Sequence, residues 1–325
     1  MKCRFGLRSN YTYTLRNSMP NQNFDIALLT ESRYERPRPE ERDWYVENIL
    51  TEDRLVQEAL ERRGLRVIRL DWATPGFDWS AARLALFRTT WDYFHRFAEF
   101  SAWLERVAAQ TQLLNPAELI RWNMDKRYLL DLQARGIRIP PTILIPRGAK
   151  TSLARLHEQT GWAESVLKPT VSGAARHTYR LSAKQLDAHE ARFQELIAAE
   201  DMMLQAFQHR IVEQGEIALM VFGGRFSHAI LKVAKPGDFR VQDDFGGTVH
   251  PYAPGPAEIE FAERAVAACD PLPVYARVDA FYDNDGQLAL GELELIEPEL
   301  WFRFHPPAAD LLAAAVAERL EGGLK

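Results

Sequence analysis

Three carboxylates near the C-terminal end of the sequence are spaced to meet on one face of a β-hairpin. Residues 274–282 and 287–296 alternate like strands, and Asp285-Gly286 between them predicts a two-residue turn. That turn sets a register in which Asp279 lies opposite Glu292. Because side chains alternate faces along a strand, one face of the hairpin is charged and the other is apolar. The residues of the charged face are Arg277, Asp279, Glu292 and Glu294.

Carboxylates about 4 to 5 Å apart repel each other by about 1 to 4 kcal/mol per pair, so the cluster requires a cation. A few carboxylates that act together with substrate phosphates are the usual ligands of Mg²⁺. The alternative is an exposed ion pair across the strands, Arg277 with Glu294, beside two solvated acids.

Two lysines and a loop of small residues could hold phosphate groups. Lys126 lies where Asn123 is predicted to cap a helix, and Lys168 ends an apolar strand that leads into Ser172-Gly173. Backbone N–H groups of small residues can approach phosphate oxygens, and a lysine adds positive charge. An ordinary loop and a solvated lysine are the alternatives, because neither glycine-rich phosphate motif is present.

The order of these segments over residues 115–310 resembles the ATP-grasp superfamily, in its glutathione-synthetase-like and ribosomal-protein-S6-modifying branch. The resemblance implies ATP as substrate and two Mg²⁺ ions as cofactors, with Mn²⁺ as a substitute. The residues that it assigns to ATP are Lys126, Lys168, Ser172, Gly173, Gln205, Ala206 and Phe207, with either Glu213 or Glu216 on the ribose. It assigns Asp279, Glu292 and Glu294 to the metal, and Lys168 and Arg240 to catalysis at the transferring phosphoryl group.

Three positions depart from the family pattern. The loop after Lys168 has one glycine where relatives often have several, and Ala206 stands where an acid is common. Glu294 replaces the usual asparagine and adds a negative charge. No group that the chemistry requires is missing.

A closer likeness, in residues 87–93, 121–129 and 292–298, is to the cycloserine-forming (O-ureido-serine cyclo-ligase) subgroup. It implies an ATP-dependent carboxylate–amine ligase that works through an acyl phosphate on an amino-acid-like substrate. The attacking amine could belong to the same molecule, as in ring closure, or to a second one. A nucleotide-binding module without catalysis and a small-molecule kinase are the alternatives.

The N-terminal part alternates between strand and helix patterns. A strand over 24–30, a helix over 44–63 and strands over 65–70 and 84–87 predict a small parallel α/β domain. Ligands of such sheets lie beyond the carboxyl ends of the strands, so the segment after residue 87 is a candidate substrate site. The candidates are Arg88 for a carboxylate, Asp92 for an amine, and Trp91 and Tyr93 as walls. The alternative is a surface loop packed by its aromatic residues.

The expected fold is α/β of the ATP-grasp type, in which two subdomains with mostly antiparallel sheets follow the parallel domain. We expect the N-terminal domain over 23–118, a central lid subdomain over 119–200 and a C-terminal subdomain over 201–325. Residues 1–22 carry four basic residues and no acid, which could imitate a transit peptide. We expect instead a disordered tail, with Met19 as the working start.

Composition favours a soluble enzyme with a small-molecule substrate. The net charge of −5 over 325 residues offers no electrostatic footprint for nucleic acid or an anionic membrane. No apolar stretch reaches the length of about 18 residues that spans a bilayer. Two cysteines without metal-ligand spacing favour a reducing, cytoplasmic compartment. Whether the chain forms a homo-oligomer is left open.

Overall fold

The computed structural model describes residues 23–173, 175–241 and 246–322. The predicted tail over 1–22 lies outside the described residues. Within the described ranges, no helix combines the length and the apolar character needed to cross a membrane.

The N-terminal region is a parallel sheet with helices packed against it. Its elements are β1 (Phe24–Thr30), α1 (Ser32–Glu35), α2 (Trp44–Arg62), β2 (Val67–Asp71), β3 (Ala82–Thr89), α3 (Phe97–Ala108) and β4 (Gln112–Leu114). The strand order is β2-β1-β3-β4, with every pair parallel. Asp43 caps α2 by accepting hydrogen bonds from two backbone N–H groups of its first turn. The predicted parallel α/β domain is confirmed, and β4 is an additional strand.

The central region carries a four-stranded antiparallel sheet. Its elements are α4 (Ala117–Asn123), α5 (Tyr128–Ala134), β5 (Thr142–Ile145), α6 (Leu153–Thr160), β6 (Glu164–Pro169), β7 (Tyr179–Ser182), α7 (Asp187–Ala199) and β8 (Met202–Ala206). The strand order is β5-β8-β6-β7. Strand β8 pairs inside this sheet although it follows residue 200. We therefore propose that the central subdomain extends to about Ala206 rather than to the predicted boundary at 200.

The C-terminal region carries a five-stranded antiparallel sheet. Its elements are α8 (His209–Gln214), β9 (Glu216–Phe222), β10 (Arg225–Val233), β11 (Thr248–Tyr252), α9 (Pro256–Ala267), β12 (Tyr275–Tyr282), β13 (Leu288–Glu294) and α10 (Ala308–Glu321). The strand order is β11-β10-β9-β12-β13. Helix α10 packs back on α2, where Leu312 and Val316 share a buried cluster with Val56 and Leu60. The first and last regions of the chain are thereby joined through one apolar core.

Asn115 precedes Pro116 in a sequence context that predicts a helix cap, but its side chain does not cap α4. Its buried amide donates to the carbonyl oxygens of Tyr275 at 2.9 Å and Leu295 at 2.7 Å. Its Oδ1 accepts the Val274 N–H at 2.7 Å. The prediction was wrong because the partners of this side chain lie about 160 residues further along the chain, beyond the reach of a local pattern.

Asn123 is likewise not a helix cap. Its side chain donates to the Leu293 carbonyl at 2.7 Å and accepts the Leu295 N–H at 2.9 Å, so it pairs with the backbone at the end of β13. Helix α5 begins only at Tyr128. Lys126 therefore lies in the connection before α5 and not inside the first helical turn.

The acidic hairpin has the predicted pairing but a different turn. The loop contains three residues, 284–286, instead of two, because backbone pairing ends one residue earlier and Asp283 closes the turn. A bulge at Gly291 inserts one extra residue into β13. The two offsets cancel, so Asp279 does lie opposite Glu292 as predicted.

Candidate functional site

A cavity of about 750 Å³ lies where the three regions meet, which is a volume typical of small-ligand sites. Most of the residues predicted from the sequence line it. They are Trp91, Asp92, Tyr93, Lys126, Lys168, Ser172, Gly173, Gln205, Ala206, Phe207, Glu216, Arg240, Asp279, Glu292 and Glu294.

Two predicted residues do not line this cavity. Arg88 is only 1% exposed and lies in the interior, with its Cζ 5.7 Å from the centre of the Phe302 ring. Its Nε and Nη1 have no hydrogen-bond partner among the described residues. Glu213 is exposed on α8, whereas Glu216, just after the turn at Gly215, begins β9 and faces the cavity. Arg88 is thus not placed to clasp a ligand in the cavity, and of the two candidate ribose acids only Glu216 is there.

Asp279 is the centre of a buried network of charges. Its Oδ2 accepts hydrogen bonds from Lys232 Nζ at 3.0 Å and from Arg277 Nη2 at 2.8 Å. Lys232 also pairs with Glu216 at 2.5 Å, and Arg277 pairs with Glu294. Burial raises the pKa of Asp279, but the two cations outweigh it and hold that pKa below the usual range. The carboxylate is therefore ionised at neutral pH.

Glu292 is neutralised from the central region. Lys126 Nζ donates to Glu292 and, at 2.9 Å, to the Ser172 carbonyl, while the Lys126 N–H donates to the Thr170 carbonyl at 2.8 Å. Lys168 lines the cavity near Glu292, and its side chain has no hydrogen bond or ion pair with the described residues. Burial, which the neighbouring Lys126 reinforces, lowers the pKa of Lys168 to about 8. Lys168 is thus a cation with its donors available to a ligand.

The three predicted metal ligands have suitable chemistry but are engaged by cations in this arrangement. Asp279, Glu292 and Glu294 share one face of the hairpin, and hard carboxylate oxygens are what Mg²⁺ requires. Among the residues that the structure describes, however, no group of three His, Cys, Asp or Glu side chains is placed to hold a metal ion. The lysine and arginine partners occupy the carboxylate oxygens that a metal ion would use.

The predicted adenine segment consists of the last two residues of β8 and Phe207, which follows the strand. Gln205 Nε2 donates to Thr142 Oγ1 at 3.0 Å, which fixes the amide between neighbouring strands. The Phe207 ring packs edge-on to Phe239 at 6.1 Å between centroids, and Arg180 covers it with Cζ at 3.9 Å. Phe207 and Phe239 line the cavity, whereas Arg180 does not.

Arg240, the predicted catalytic arginine, lines the cavity with Asp238 beside it. Its Nη2 donates to Asp238 Oδ2 at 2.7 Å and its Nε to Asp238 Oδ1 at 3.1 Å. This arginine holds the pKa of Asp238 well below its usual range. The two-pronged pair fixes the guanidinium at the cavity wall.

The predicted substrate segment forms the wall on the side of the N-terminal region. Trp91 Nε1 donates to the Glu297 carbonyl at 2.8 Å. Asp92 accepts Trp72 Nε1 at 2.7 Å and Arg96 Nη1 at 2.8 Å, so its carboxylate already has two donors. The segment is therefore a structured wall rather than a free surface loop.

Close packing joins this wall to the central region at Gly173. A Cβ on Gly173 would lie 2.5 Å from a ring carbon of Phe94, so only glycine allows this approach.

Sequence reasoning missed several charged residues of the cavity. The contacts of Lys232 and Arg277 with Asp279 were not predicted, yet both residues neutralise that carboxylate. Glu31 and Glu297 also line the cavity, and burial is the main cause that raises the pKa of each carboxyl. The alternation of β10 could have indicated Lys232, but its place beside Asp279 depends on β9 lying between β10 and β12.

Comparison with known proteins finds one family. Residues 26–115 match the family described as D-cycloserine synthetase DcsG, N-terminal domain. Over 284 residues the chain is 34% identical to the cycloserine biosynthesis protein DcsG of Streptomyces lavendulae, an alignment that covers 81% of this chain and 92% of that protein.

Solved structures give a consistent result. The crystal structure of D-cycloserine synthetase DcsG superposes with a TM-score of 0.77 at 30% identity and covers 91% of this chain and 99% of that one. D-alanyl-alanine synthetase A from Vibrio cholerae superposes with a TM-score of 0.65 at 16% identity, with coverages of 93% and 100%. The second likeness concerns the fold alone.

Proposed function

Because the chain belongs to the D-cycloserine synthetase DcsG family and is an ATP-dependent C–N ligase, we propose that it activates the carboxylate of an amino-acid-like molecule as an acyl phosphate. An amine of the same molecule then attacks the acyl carbon, loses a proton and displaces phosphate, which closes a ring. ADP and inorganic phosphate are the other products. The observation that carries this proposal is the meeting of an acidic hairpin face with lysines from separate elements in one cavity.

We propose that the phosphates of ATP bind at the end of the cavity where the lysine side chains lie. Lys168 has donors available for a phosphate oxygen, and Lys126 and Lys232 would exchange their carboxylate partners for phosphate oxygens. Arg240 lines the same cavity and would share the charge that spreads over the transferring phosphoryl group.

The metal site that we propose is the acidic face of β12 and β13. Mg²⁺ held by Asp279, Glu292 and Glu294, as two ions with Mn²⁺ as a substitute, would neutralise the β- and γ-phosphate oxygens. Before a metal binds, Lys232 and Arg277 hold Asp279 ionised and in place. They therefore keep this ligand prepared at neutral pH.

The substrate end lies against Trp91 and Tyr93. An acyl phosphate left in water is hydrolysed, so the aromatic wall and the central region, as a lid, must exclude solvent. Glu31, which pairs with Arg33 at 2.7 Å, and Glu297 add carboxyl groups here, and such acceptors suit a substrate that carries an amine. We also propose a cytoplasmic location, from the reducing environment that the two cysteines favour.

The test is a screen for ADP release from Mg-ATP with pooled amino acids, dipeptides and O-substituted serines. Lys168→Ala is the inactive blank, and Lys150→Ala, an exposed lysine of the same region, is the matched control that keeps full activity. Release in one pool, followed by a product mass equal to the substrate minus water, would support ring closure. A stable phosphorylated product would contradict the ligase chemistry. Activity of Lys168→Ala equal to that of the wild type would contradict the proposed ATP site.

A further inference from the structure

The segment 295–307 that follows β13 contains no helix or strand, yet it supplies Glu297, Glu299 and Trp301 to the cavity wall. Side chains from other elements hold its backbone in place. His228 Nε2 donates to the Leu300 carbonyl at 2.8 Å, and Arg277 Nη1 donates to the Glu299 carbonyl at 3.4 Å. The position of this wall is therefore set by tertiary contacts and not by its own secondary structure.

Trp301 is the most constrained residue of the segment. Its backbone has a φ of +47°, a left-handed conformation that is costly for a bulky residue. The side chain is only 4% exposed. The centre of its ring lies 5.0 Å from Arg277 Cζ and 5.6 Å from Lys232 Nζ, within the range of cation–π attraction. The indole therefore covers both cations that neutralise Asp279.

Glu52 holds the backbone directly after Trp301. It lies on α2, more than 240 residues away in sequence, and is 2% exposed. One carboxylate oxygen accepts the Phe302 N–H at 2.8 Å, and the other accepts the Arg303 N–H at 2.9 Å. Successive N–H groups beside a left-handed residue form an anion-binding concavity, and this one is filled by the protein's own carboxylate.

We propose that Glu52 is a positioning residue for the nucleotide site. By binding the N–H groups of residues 302 and 303 it holds Trp301 in the left-handed conformation, and the indole in turn fixes Lys232 and Arg277 against Asp279. Without the carboxylate, two buried N–H groups lose their acceptor and Trp301 is free to relax to an ordinary backbone conformation. Glu52 does not line the cavity, so it acts through Trp301 rather than on a ligand. The inference rests on the proposed function, because it assumes that these cations meet phosphates.

The test measures the affinity for Mg-AMPPNP, a non-hydrolysable ATP analogue, by calorimetry. Glu52→Gln keeps the size of the side chain but replaces one acceptor with a donor, and it should weaken binding about tenfold, equivalent to about 1.4 kcal/mol. The matched control is Val56→Ala, one turn further along the same helix and fully buried. It should lower the melting temperature and leave the affinity unchanged, because Val56, which shares an apolar cluster with Trp301 and Phe302, makes no hydrogen bond to the backbone of the segment.

A double-mutant cycle with Trp301→Leu tests the route of the effect. If Glu52 acts through the indole, Trp301→Leu alone weakens Mg-AMPPNP binding, and Glu52→Gln adds little to it. Unchanged affinity in a folded Glu52→Gln variant, or losses that add in full, would overturn the proposal. If Glu52→Gln does not fold, the Trp301→Leu variant decides the question, because wild-type affinity in that variant would also overturn the proposal. Wild-type protein that does not bind Mg-AMPPNP would overturn the proposed function, a result distinct from the others.

Discussion

Glu294→Gln should make the ligand-free protein more stable and less able to use Mg²⁺. Glu294 pairs with Arg277, yet burial raises its pKa from 4.5 to about 7, and repulsion from Glu292 and Asp279 offsets much of the attraction to the arginine. The folded state therefore favours the protonated form of Glu294 over the ionised form. Glutamine has the same shape as the protonated acid and carries no charge.

The size of the effect follows from the difference between the two pKa values. At 1.36 kcal/mol for each pH unit, ionising Glu294 costs the folded state about 3 kcal/mol relative to the unfolded chain. A raised pKa in an acid means that stability is fully present below pH 4.5 and is lost as the pH rises to about 7. The glutamine variant does not lose this stability as the pH rises, because glutamine does not ionise. Its advantage should be absent near pH 4, grow to about pH 7 and then stay constant.

The assay is thermal unfolding of both proteins from pH 4 to pH 9, without nucleotide or metal. For a chain of this size, about 3 kcal/mol corresponds to a rise in melting temperature of about 5 °C above pH 7. Glu195→Gln is the matched control, because Glu195 is an exposed acid on α7 and pairs with Arg192 at the surface. It should show no comparable rise. ADP release by Glu294→Gln should meanwhile require more Mg²⁺, because a proposed ligand is gone.

Two results would refute this reasoning. A variant less stable than wild type above pH 7 would mean that the ion pair with Arg277 outweighs the cost of burying Glu294. A stabilisation of equal size at every pH would have a source other than the charge.

Three further predictions concern the same cavity. Because the pKa of Lys168 is about 8, about half of this side chain should be neutral amine at pH 8, against roughly 0.3% for an ordinary lysine. Limited acetylation should therefore modify Lys168 first, and ATP should protect it. Labelling of Lys168 no faster than that of exposed lysines would argue against the lowered pKa. Gly291→Ala would place a Cβ 3.0 Å from a Phe281 ring carbon, so unfolding experiments should find a loss of about 1 to 3 kcal/mol, and an unchanged melting temperature would contradict this packing. Glu292→Gln should lower ADP release by at least about a hundredfold. It should also lower the stability of the fold above pH 4.5, because Lys126 loses its carboxylate partner. Near-normal turnover would refute the metal assignment.

Features with short-range causes could be predicted from the sequence. Strand β1 was predicted at its observed limits, and the helix that ends before Gly64 was placed within one residue. The pairing of Asp279 with Glu292 was also correct, although the loop length was not. Alternation of side chains and the conformational freedom of glycine act over a few residues, and such causes can be found in a single sequence.

Features that depend on distant partners could not be predicted in this way. Asn115 and Asn123 have the sequence context of helix caps, but both bind backbone groups about 160 to 180 residues away. Arg88 was predicted to follow a strand as a substrate-binding residue, but it lies within β3 and is buried in the interior. Nothing in the local pattern distinguishes these cases, because each is decided by which elements pack together.

The sequence by itself determined that three acids share one face of a hairpin, because the two-residue period of a strand requires it. Only the tertiary structure decided what neutralises them. Lys126 comes from the connection between α4 and α5, and Lys232 comes from β10, two strands away from β12, which carries Asp279. Attraction between charges depends on distance in space, and the folding of three regions around one cavity sets those distances.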